Sequence, residues 1–147
     1  MSLKFKVVLC RIRLFPTLVS KIKWLGSGLH LIYDPDLLQN LTSFLEFITT
    51  KPSNGNLMNL ALSIIANLLT NESGKEKVSE QNIKFFVSML EEIVASELYD
   101  QLDLVTKTSI MSRTIRALGN AASSNESNLA KIHKLRNVLK HIFTYLS

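Results

Sequence analysis

The chain of 147 residues is 46% hydrophobic and 20% charged, a composition that excludes an intrinsically disordered tail. Five Gly and three Pro are too few for a turn-rich sandwich or barrel, and a single Cys excludes a disulfide framework and a cysteine-based zinc site. No run of about 18 uncharged apolar residues occurs, so a membrane span is not expected. We therefore expect an all-α protein of a reducing compartment, cytoplasmic or nuclear, that binds a partner rather than catalyses a reaction.

The formal net charge of +5 is unevenly distributed along the chain. Residues 1–33 carry six basic side chains and no acidic one, residues 34–103 carry four basic and eleven acidic ones, and residues 104–147 carry seven basic and one acidic. The acidic middle separates two basic ends, and no dense Lys/Arg run contains aromatic residues. Nucleic-acid binding is therefore disfavoured, and an RNA-binding helical repeat that uses the basic ends is kept as the alternative.

The basic N-terminal segment, residues 1–33, differs from the rest of the chain. Its residues 3–7 alternate between apolar and basic side chains, as in a half-buried strand. Arg11 and Arg13 interrupt the long apolar stretch that a signal peptide requires. We expect a frayed or poorly packed segment that precedes a folded array at residues 34–147.

From residue 34 onward, apolar side chains recur at helical spacing. Asp34-Pro35-Asp36 predicts a helix start, because Pro suits the first turn and acids suit the positive end of the helix dipole. The apolar face that follows consists of Leu37, Leu38, Leu41, Phe44, Leu45 and Ile48. After turn residues at 51–56, a second helix is predicted at about 57–70. It is apolar nearly all round, and its one polar stripe contains Asn56, Asn59, Ser63 and Asn67.

The second half of the chain continues the helical pattern. Turn residues at 71–75 are expected to break the second helix. The elements predicted after this break are a short polar helix at 76–81, a helix at 82–95, a loop at 96–103, a long helix at 104–122, and two helices at 128–135 and 138–146.

Several of these segments repeat. Residues 39–48 match 81–90 at an offset of 42, and residues 61–67 match 114–120 at an offset of 53, with Asn-Glu-Ser following each long helix. No unit can close its own apolar faces, so we expect the units to stack. Stacking is predicted to bury Leu62, Ile65 and Leu69 against Ile115, Leu118 and Ala122. The small residues expected to allow close approach of the helices are Ala61, Ala66, Ala117 and Gly119.

Residues 61–67 and 115–120 resemble the third helix of armadillo repeats, which typically ends in a Leu-x-Asn-like signature. The resemblance covers residues 35–147 and implies a right-handed α-solenoid of about 2.5 to 3 armadillo-type repeats. It places Asn40, Asn82 and Asn137 at the turn between the first and second helices, where the family usually has Gly. Asn tolerates the left-handed backbone conformation of such a turn better than most residues do.

Within this family, residues 59–66 and 108–120 look similar to adaptors that join an armadillo array to a BTB domain. This resemblance implies the substrate- or partner-binding part of a cullin-3 ubiquitin ligase adaptor. No BTB domain fits in this chain, so a ligase role would need a part outside it.

The third helices of armadillo proteins line a concave groove, where their Asn side chains can bind the backbone of an extended peptide. Asn67 and Asn120 match that Asn, while Ser63 and Arg116 stand where the family often has Trp. The resemblance implies a protein or extended-peptide partner, and the neighbouring basic stripe suggests that it is acidic. The predicted groove residues are Asn56, Asn59, Ser63, Asn67, Ser109, Ser112, Arg113, Arg116 and Asn120. In the alternative interpretation, these Asn side chains bond neighbouring helix ends within the solenoid.

No residue set predicts catalysis, a metal site or a cofactor. His133 and His141 are eight residues apart on separate predicted helices, so they do not form a metal-binding pair. Cys10 lacks a neighbouring His or basic helix start that would activate it. The adjacent Glu91 and Glu92 point in different directions on a helix and do not converge as an acid/base pair.

The chain ends after a pattern typical of a second helix. Its last apolar face, formed by Ile142, Phe143 and Leu146, would then be left uncovered. We therefore expect a piece of a longer array, or end-to-end stacking of a partner against the C-terminal helix.

Overall fold

The computed structural model describes residues 36–50 and 55–147, and within these ranges it contains seven α-helices and no β-strand. The helices are α1 (Leu37–Thr49), α2 (Gly55–Leu68), α3 (Glu72–Glu76), α4 (Glu80–Ala95), α5 (Leu104–Ala122), α6 (Glu126–His133) and α7 (Arg136–Leu146), with a 3-10 helix at Glu97–Tyr99 between α4 and α5. The all-α class is therefore confirmed for this part of the chain. The expectations for residues 1–33, for the helix start at 34–35 and for residues 51–54 of the predicted turn lie outside the described residues. Gly55 and Asn56, also expected in that turn, instead begin α2.

Polar side chains just before the helices set several helix starts. Ser79 Oγ accepts a hydrogen bond from the backbone N–H of Asn82 at 3.1 Å, and Asn82 Oδ1 accepts one from the Ser79 N–H at 2.9 Å. This reciprocal capping box satisfies two backbone donors at the start of α4. Asp103 Oδ1 accepts from the Thr106 N–H at 2.8 Å and caps α5, and Asn125 caps α6 in the same way. The capped α5 confirms the long helix predicted at 104–122.

The predicted short helix at 76–81 is wrong. The short helix α3 instead occupies residues 72–76, where a break was expected, and α4 begins at Glu80 rather than at Asn82. Asn71 adopts the extended backbone of an N-cap residue, and Glu72 then provides negative charge in the first turn. The composition of residues 71–75 is therefore typical of a turn, but their polar side chains start a helix.

The prediction that three Asn residues lie at turns between helices is also wrong. Asn40, Asn82 and Asn137 all lie inside helices, and the non-glycine residue with a positive φ in the described ranges is Ser124, at 55°. Asn82 is buried at the third position of α4, where its side chain exchanges hydrogen bonds of 3.0 and 3.1 Å with Gln39 of α1. Its amide thus joins two helices as well as capping one.

The two long helices α2 and α5 lie side by side and run in the same direction. Three contacts show this: Gly55 lies against Thr106, Asn59 bonds Arg113, and the carbonyl of Ala66 bonds Asn120, so residue numbers rise together along both helices. This junction is the most extensive between any two helices of the described ranges. The repeated pattern of the long helices therefore corresponds to their direct packing.

The apolar content of this junction was predicted in part. Leu62, Ile65 and Leu69 are fully buried, and Leu118 is nearly so. Ile115 was expected to be buried but is 39% exposed, because the buried face of α5 is rotated away from it. The α5 residues that are buried are Ile110, Thr114, Ala117, Leu118 and Ala121.

Of the four small residues expected to allow close approach, Gly119 does not. Ala61, Ala66 and Ala117 are buried in the core, as expected. Gly119 is exposed, and a Cβ atom added there would meet no atom within 4 Å. A close backbone approach occurs instead at Gly74.

A second set of contacts links the shorter helices. Asn128 of α6 is almost fully buried, and its Nδ2 donates to the carbonyls of Lys75 at 2.8 Å and Ala121 at 3.0 Å. The buried Lys75 donates to the carbonyl of Ser123 at 2.7 Å and pairs with Glu72 at 2.8 Å. These bonds satisfy carbonyls near the C-terminal end of α5 that have no partner within the helix.

The C-terminal helix α7 packs on α4, and the expected uncovered face is smaller than predicted. Ile142 is buried, which corrects its placement on an open face, while Phe143 and Leu146 remain about half-exposed. No helix within the described ranges is both long enough and apolar enough to cross a lipid bilayer.

Tyr99, in the 3-10 helix, is fully buried, and its hydroxyl is the one buried side-chain polar atom of the described residues that lacks a hydrogen-bond partner. Burial, and secondarily the negative charge of Glu92, raises the pKa of Tyr99 from 10.0 to about 12. The folded protein therefore keeps this proton at a pH where the unfolded chain loses it. Below pH 10 the ionisation of Tyr99 does not lower the free energy of unfolding. As the pH rises from about 10 toward 12, the free energy of unfolding falls by roughly 1.4 kcal/mol per pH unit.

We expect Tyr99→Phe to remove this dependence and, near pH 7, to leave the free energy of unfolding unchanged or raise it by up to about 1 kcal/mol, because an unpaired buried hydroxyl is removed. Urea unfolding of both proteins at pH 7, 9.5 and 10.5 measures the difference. An alkaline loss of stability in the Phe variant as steep as that of the wild type, or steeper, would contradict the expectation.

Candidate functional site

Four of the predicted groove residues meet in one hydrogen-bonded network across the α2–α5 junction. Arg113 Nε donates to Asn59 Oδ1 at 3.1 Å and to Ser109 Oγ at 3.4 Å, and Arg113 Nη1 donates to Ser63 Oγ at 2.5 Å. Ser63 Oγ in turn donates to the Asn59 carbonyl at 2.8 Å. All four residues are partly buried. The network therefore holds the Arg113 guanidinium in a defined place on the surface.

Asn120 serves the fold itself. Its Nδ2 donates at 2.8 Å to the carbonyl of Ala66 near the C-terminal end of α2. That carbonyl belongs to the last turn, where the helix supplies no donor. The alternative interpretation, in which these Asn side chains bond neighbouring helix ends, therefore describes Asn120.

The remaining predicted groove residues are exposed. Asn56, Asn67, Ser112 and Arg116 make no side-chain hydrogen bond to any described residue. Asn67 thus differs from its counterpart Asn120, although both match the same position of the repeat. These four side chains have polar groups available for a partner.

An open pocket of about 630 Å³ lies along the exposed face of α5. Its described lining residues are Leu104, Val105, Thr108, Ser109, Ser112, Arg113 and Arg116. Four of these were predicted as groove residues, whereas Asn56 and Asn67 are not among them. Leu104 and Val105 are 78% and 79% exposed, which is unusual for adjacent apolar side chains.

Leu104, Val105 and Thr108 are not among the predicted groove residues, because that prediction follows the match between the polar stripes of α2 and α5, and these three residues lie outside the matched stripe. Residues 104, 108, 112 and 116 are spaced four apart and so lie on one face of a helix. That spacing was readable in the sequence. The two apolar residues were interpreted only as the beginning of a helix, because a pattern cannot distinguish an exposed apolar residue from a core residue.

The surface around the pocket is positively charged. Helix α2 has no charged residue, and α5 has Lys107, Arg113 and Arg116 but no acidic one. Lys107 is neutralised by Asp100, with a Nζ–Oδ1 distance of 2.8 Å. The nearby Asp103 is engaged in capping α5, and the hydrogen bond from the Thr106 N–H lowers the pKa of its carboxyl group. The two arginines therefore have no carboxylate on their own helix or on α2.

This arrangement can recognise a ligand by hydrogen bonds, charge and apolar contact. Within the described ranges, no three His, Cys, Asp or Glu side chains converge where they could hold a metal ion. The pocket lining contains hydroxyl and guanidinium donors and two apolar residues. Such a set binds carboxylates and main-chain carbonyls.

Comparison with known proteins adds no identification. No family model, no curated protein and no solved structure matched the chain. What bears on function is therefore the geometry of the α2–α5 surface and its pocket.

Proposed function

We propose that this chain is a non-catalytic protein-interaction scaffold that binds an extended segment of a partner protein along the exposed face of α5, beside the α2–α5 junction. The observation that carries the proposal is the adjacent, almost fully exposed pair Leu104 and Val105 in an open pocket. Exposed apolar surface rimmed by polar groups is typical of a binding site. Burying these two side chains would contribute roughly 1.5–3 kcal/mol each to association.

The proposal includes an armadillo-type order of the helices in a right-handed solenoid. In this order α3, α4 and α5 form one unit, α1 and α2 end the unit before it, and α6 and α7 begin the next. Two observations support it: α2 and α5 pack in parallel, and bonds such as Gln39–Asn82 and Asn128–Lys75 join residues 43 and 53 positions apart, close to the offsets of the sequence repeat. The narrower expectation of a ligase adaptor stays a prediction, because no described residue bears on it.

An extended protein segment fits the surface better than RNA does. The described lining residues of the pocket include no aromatic side chain on which a base could stack. Several cations that could contact phosphates have internal partners instead: Lys75, Lys107, Lys131 and Lys134 bond carbonyls or carboxylates of the protein. Among the described residues, few positive charges are then left for a phosphate backbone, whereas the six cations of residues 1–33 lie outside the described residues.

The test is a selection of random 12-residue peptides displayed on phage against the full chain. We expect peptides whose affinity falls at least tenfold in the double variant Leu104→Ser, Val105→Ser, because their apolar contact is lost. The matched control is Leu129→Ser on α6, which also removes an exposed leucine and is expected to leave affinity unchanged.

Three results would contradict the proposed function. They are a selection that returns no binding peptide, peptides that bind the double variant as well as the wild type, and displacement of the peptides by random single-stranded RNA whose affinity falls steeply with salt. The double substitution is at exposed positions, so its thermal unfolding is expected to match that of the wild type.

A further inference from the structure

We infer that the partner segment is acidic, and that Arg113 and Arg116 together clamp one of its carboxylates while an apolar side chain four to five residues away packs on Leu104 and Val105. This inference rests on the proposed function and names the chemistry of its ligand. It follows from the hydrogen bonds and position of the two arginines, from the charges near them and from the distance along α5 between the arginines and Val105.

Arg113 is already oriented for such a contact. Two of its nitrogens, Nε and Nη1, donate to Asn59, Ser63 and Ser109. A guanidinium carries five N–H donors, so the Nη2 side and one Nη1 donor have no partner among the described residues. A side chain held in this way loses little conformational entropy when it binds an anion.

Arg116 supplies the second donor group. It lies three residues after Arg113 on the same helix, a spacing that places the two Cβ atoms about 5–6 Å apart. Both side chains line the same pocket, and the exposed Ser112, which also lines it, lies immediately before Arg113 and four residues before Arg116. Two guanidinium groups at this spacing can reach one carboxylate.

The charge balance favours an anionic ligand. Like charges three residues apart on a helix repel each other, and no acidic residue of α2 or α5 offsets this pair. A bound carboxylate would neutralise the repulsion and add charge-assisted hydrogen bonds. The opposite ligand, a basic peptide, would increase the repulsion.

The spacing between the two parts of the pocket sets the pattern of the ligand. Val105 precedes Arg113 by eight residues and Arg116 by eleven, which corresponds to about 12 and 17 Å along a helix axis at 1.5 Å per residue. An extended chain advances about 3.3–3.4 Å per residue. The acidic and the apolar residue of the ligand should therefore be about four to five positions apart.

The peptides selected against the wild-type chain test this inference. We expect them to be enriched in Asp or Glu four to five positions from Leu, Ile or Phe. Arg116→Ala should weaken their binding at least tenfold, because a charge-assisted hydrogen bond is lost. A separate selection on Arg116→Glu should yield peptides in which Lys or Arg replaces the acidic residue.

Lys140→Glu provides the matched control, since it makes the same change of charge on the exposed surface of α7. It is expected to alter affinity less than twofold and to leave the selected pattern unchanged. Peptides that depend on Leu104 and Val105 but lack acidic residues, or that bind Arg116→Ala as tightly as the wild type, would overturn the clamp and leave the proposed function standing. A selection without any binder would overturn both.

Discussion

Replacement of Gly74 by Ala is expected to lower the free energy of unfolding by about 3 kcal/mol or more. Gly74 is buried in α3, and a Cβ atom added there would clash with the carbonyl oxygen of Leu68 and lie 3.0 Å from its carbonyl carbon. Both contacts are with backbone at the end of α2, so no side chain can rotate away. The short helix α3 must shift, and overpacking of this kind costs about 1–3 kcal/mol and more where the backbone moves.

Gly119→Ala is the matched control for this prediction, because the same Cβ atom is added in open space in the middle of α5. Ala is favoured over Gly in a helix interior, so we expect a gain of about 0.5–1 kcal/mol. Urea denaturation of the two variants and the wild type measures the contrast. Equal stability of the two variants would show that α2 and α3 are not in backbone contact at Gly74.

Asn128→Ala is expected to destabilise the protein by about 2–3 kcal/mol. The substitution leaves the Ala121 carbonyl near the end of α5 without its donor, and it removes one of the bonds to the Lys75 carbonyl. It also takes away the oxygen that accepts from Lys131 Nζ at 3.1 Å. Leaving a buried polar group unpaired costs about 1–3 kcal/mol, and the small cavity left by the side chain adds to this.

Thermal unfolding followed by circular dichroism tests this prediction, and a fall in Tm of roughly 10 °C is expected for Asn128→Ala. Asn137→Ala is the control, because Asn137 is exposed on α7 and makes no side-chain hydrogen bond to a described residue. Its stability should stay within about 0.5 kcal/mol of the wild type. If the two variants unfolded at the same temperature, the buried network around Asn128 would contribute little.

The helices themselves could be predicted to a large extent from apolar spacing. Helix α5 was predicted with the bounds that it has in the structure, and α1, α2 and α4 were placed within a few residues. Long amphipathic segments carry many consistent signals, whereas short ones do not. The helix α3 was missed because Asn71 and Ser73 are typical of both turns and helix starts, and only the surrounding chain decides which role they take.

The candidate site was predicted as a set of positions, without the roles of its members. The pattern identified the polar stripe Asn59, Ser63 and Asn67, and the counterpart on α5. It did not show that Arg113 donates hydrogen bonds to Asn59 and Ser63, or that Asn120 donates one to a carbonyl at the end of α2. Long side chains reach partners more than 50 residues away in sequence, and their rotamers depend on the packing of both helices.

By itself the sequence determined the all-α class and the order of the main helices, because these follow from the local spacing of apolar residues. The repeat in the sequence predicted that the two long helices stack, and the structure showed that they run in the same direction. Only the tertiary structure decided which polar groups form hydrogen bonds within the protein and which face solvent. It buried Lys75 and Asn128, left Arg116 and Leu104 exposed, and rotated Ile115 out of the core. Exposure depends on what packs against a helix, and that is set by distant parts of the chain.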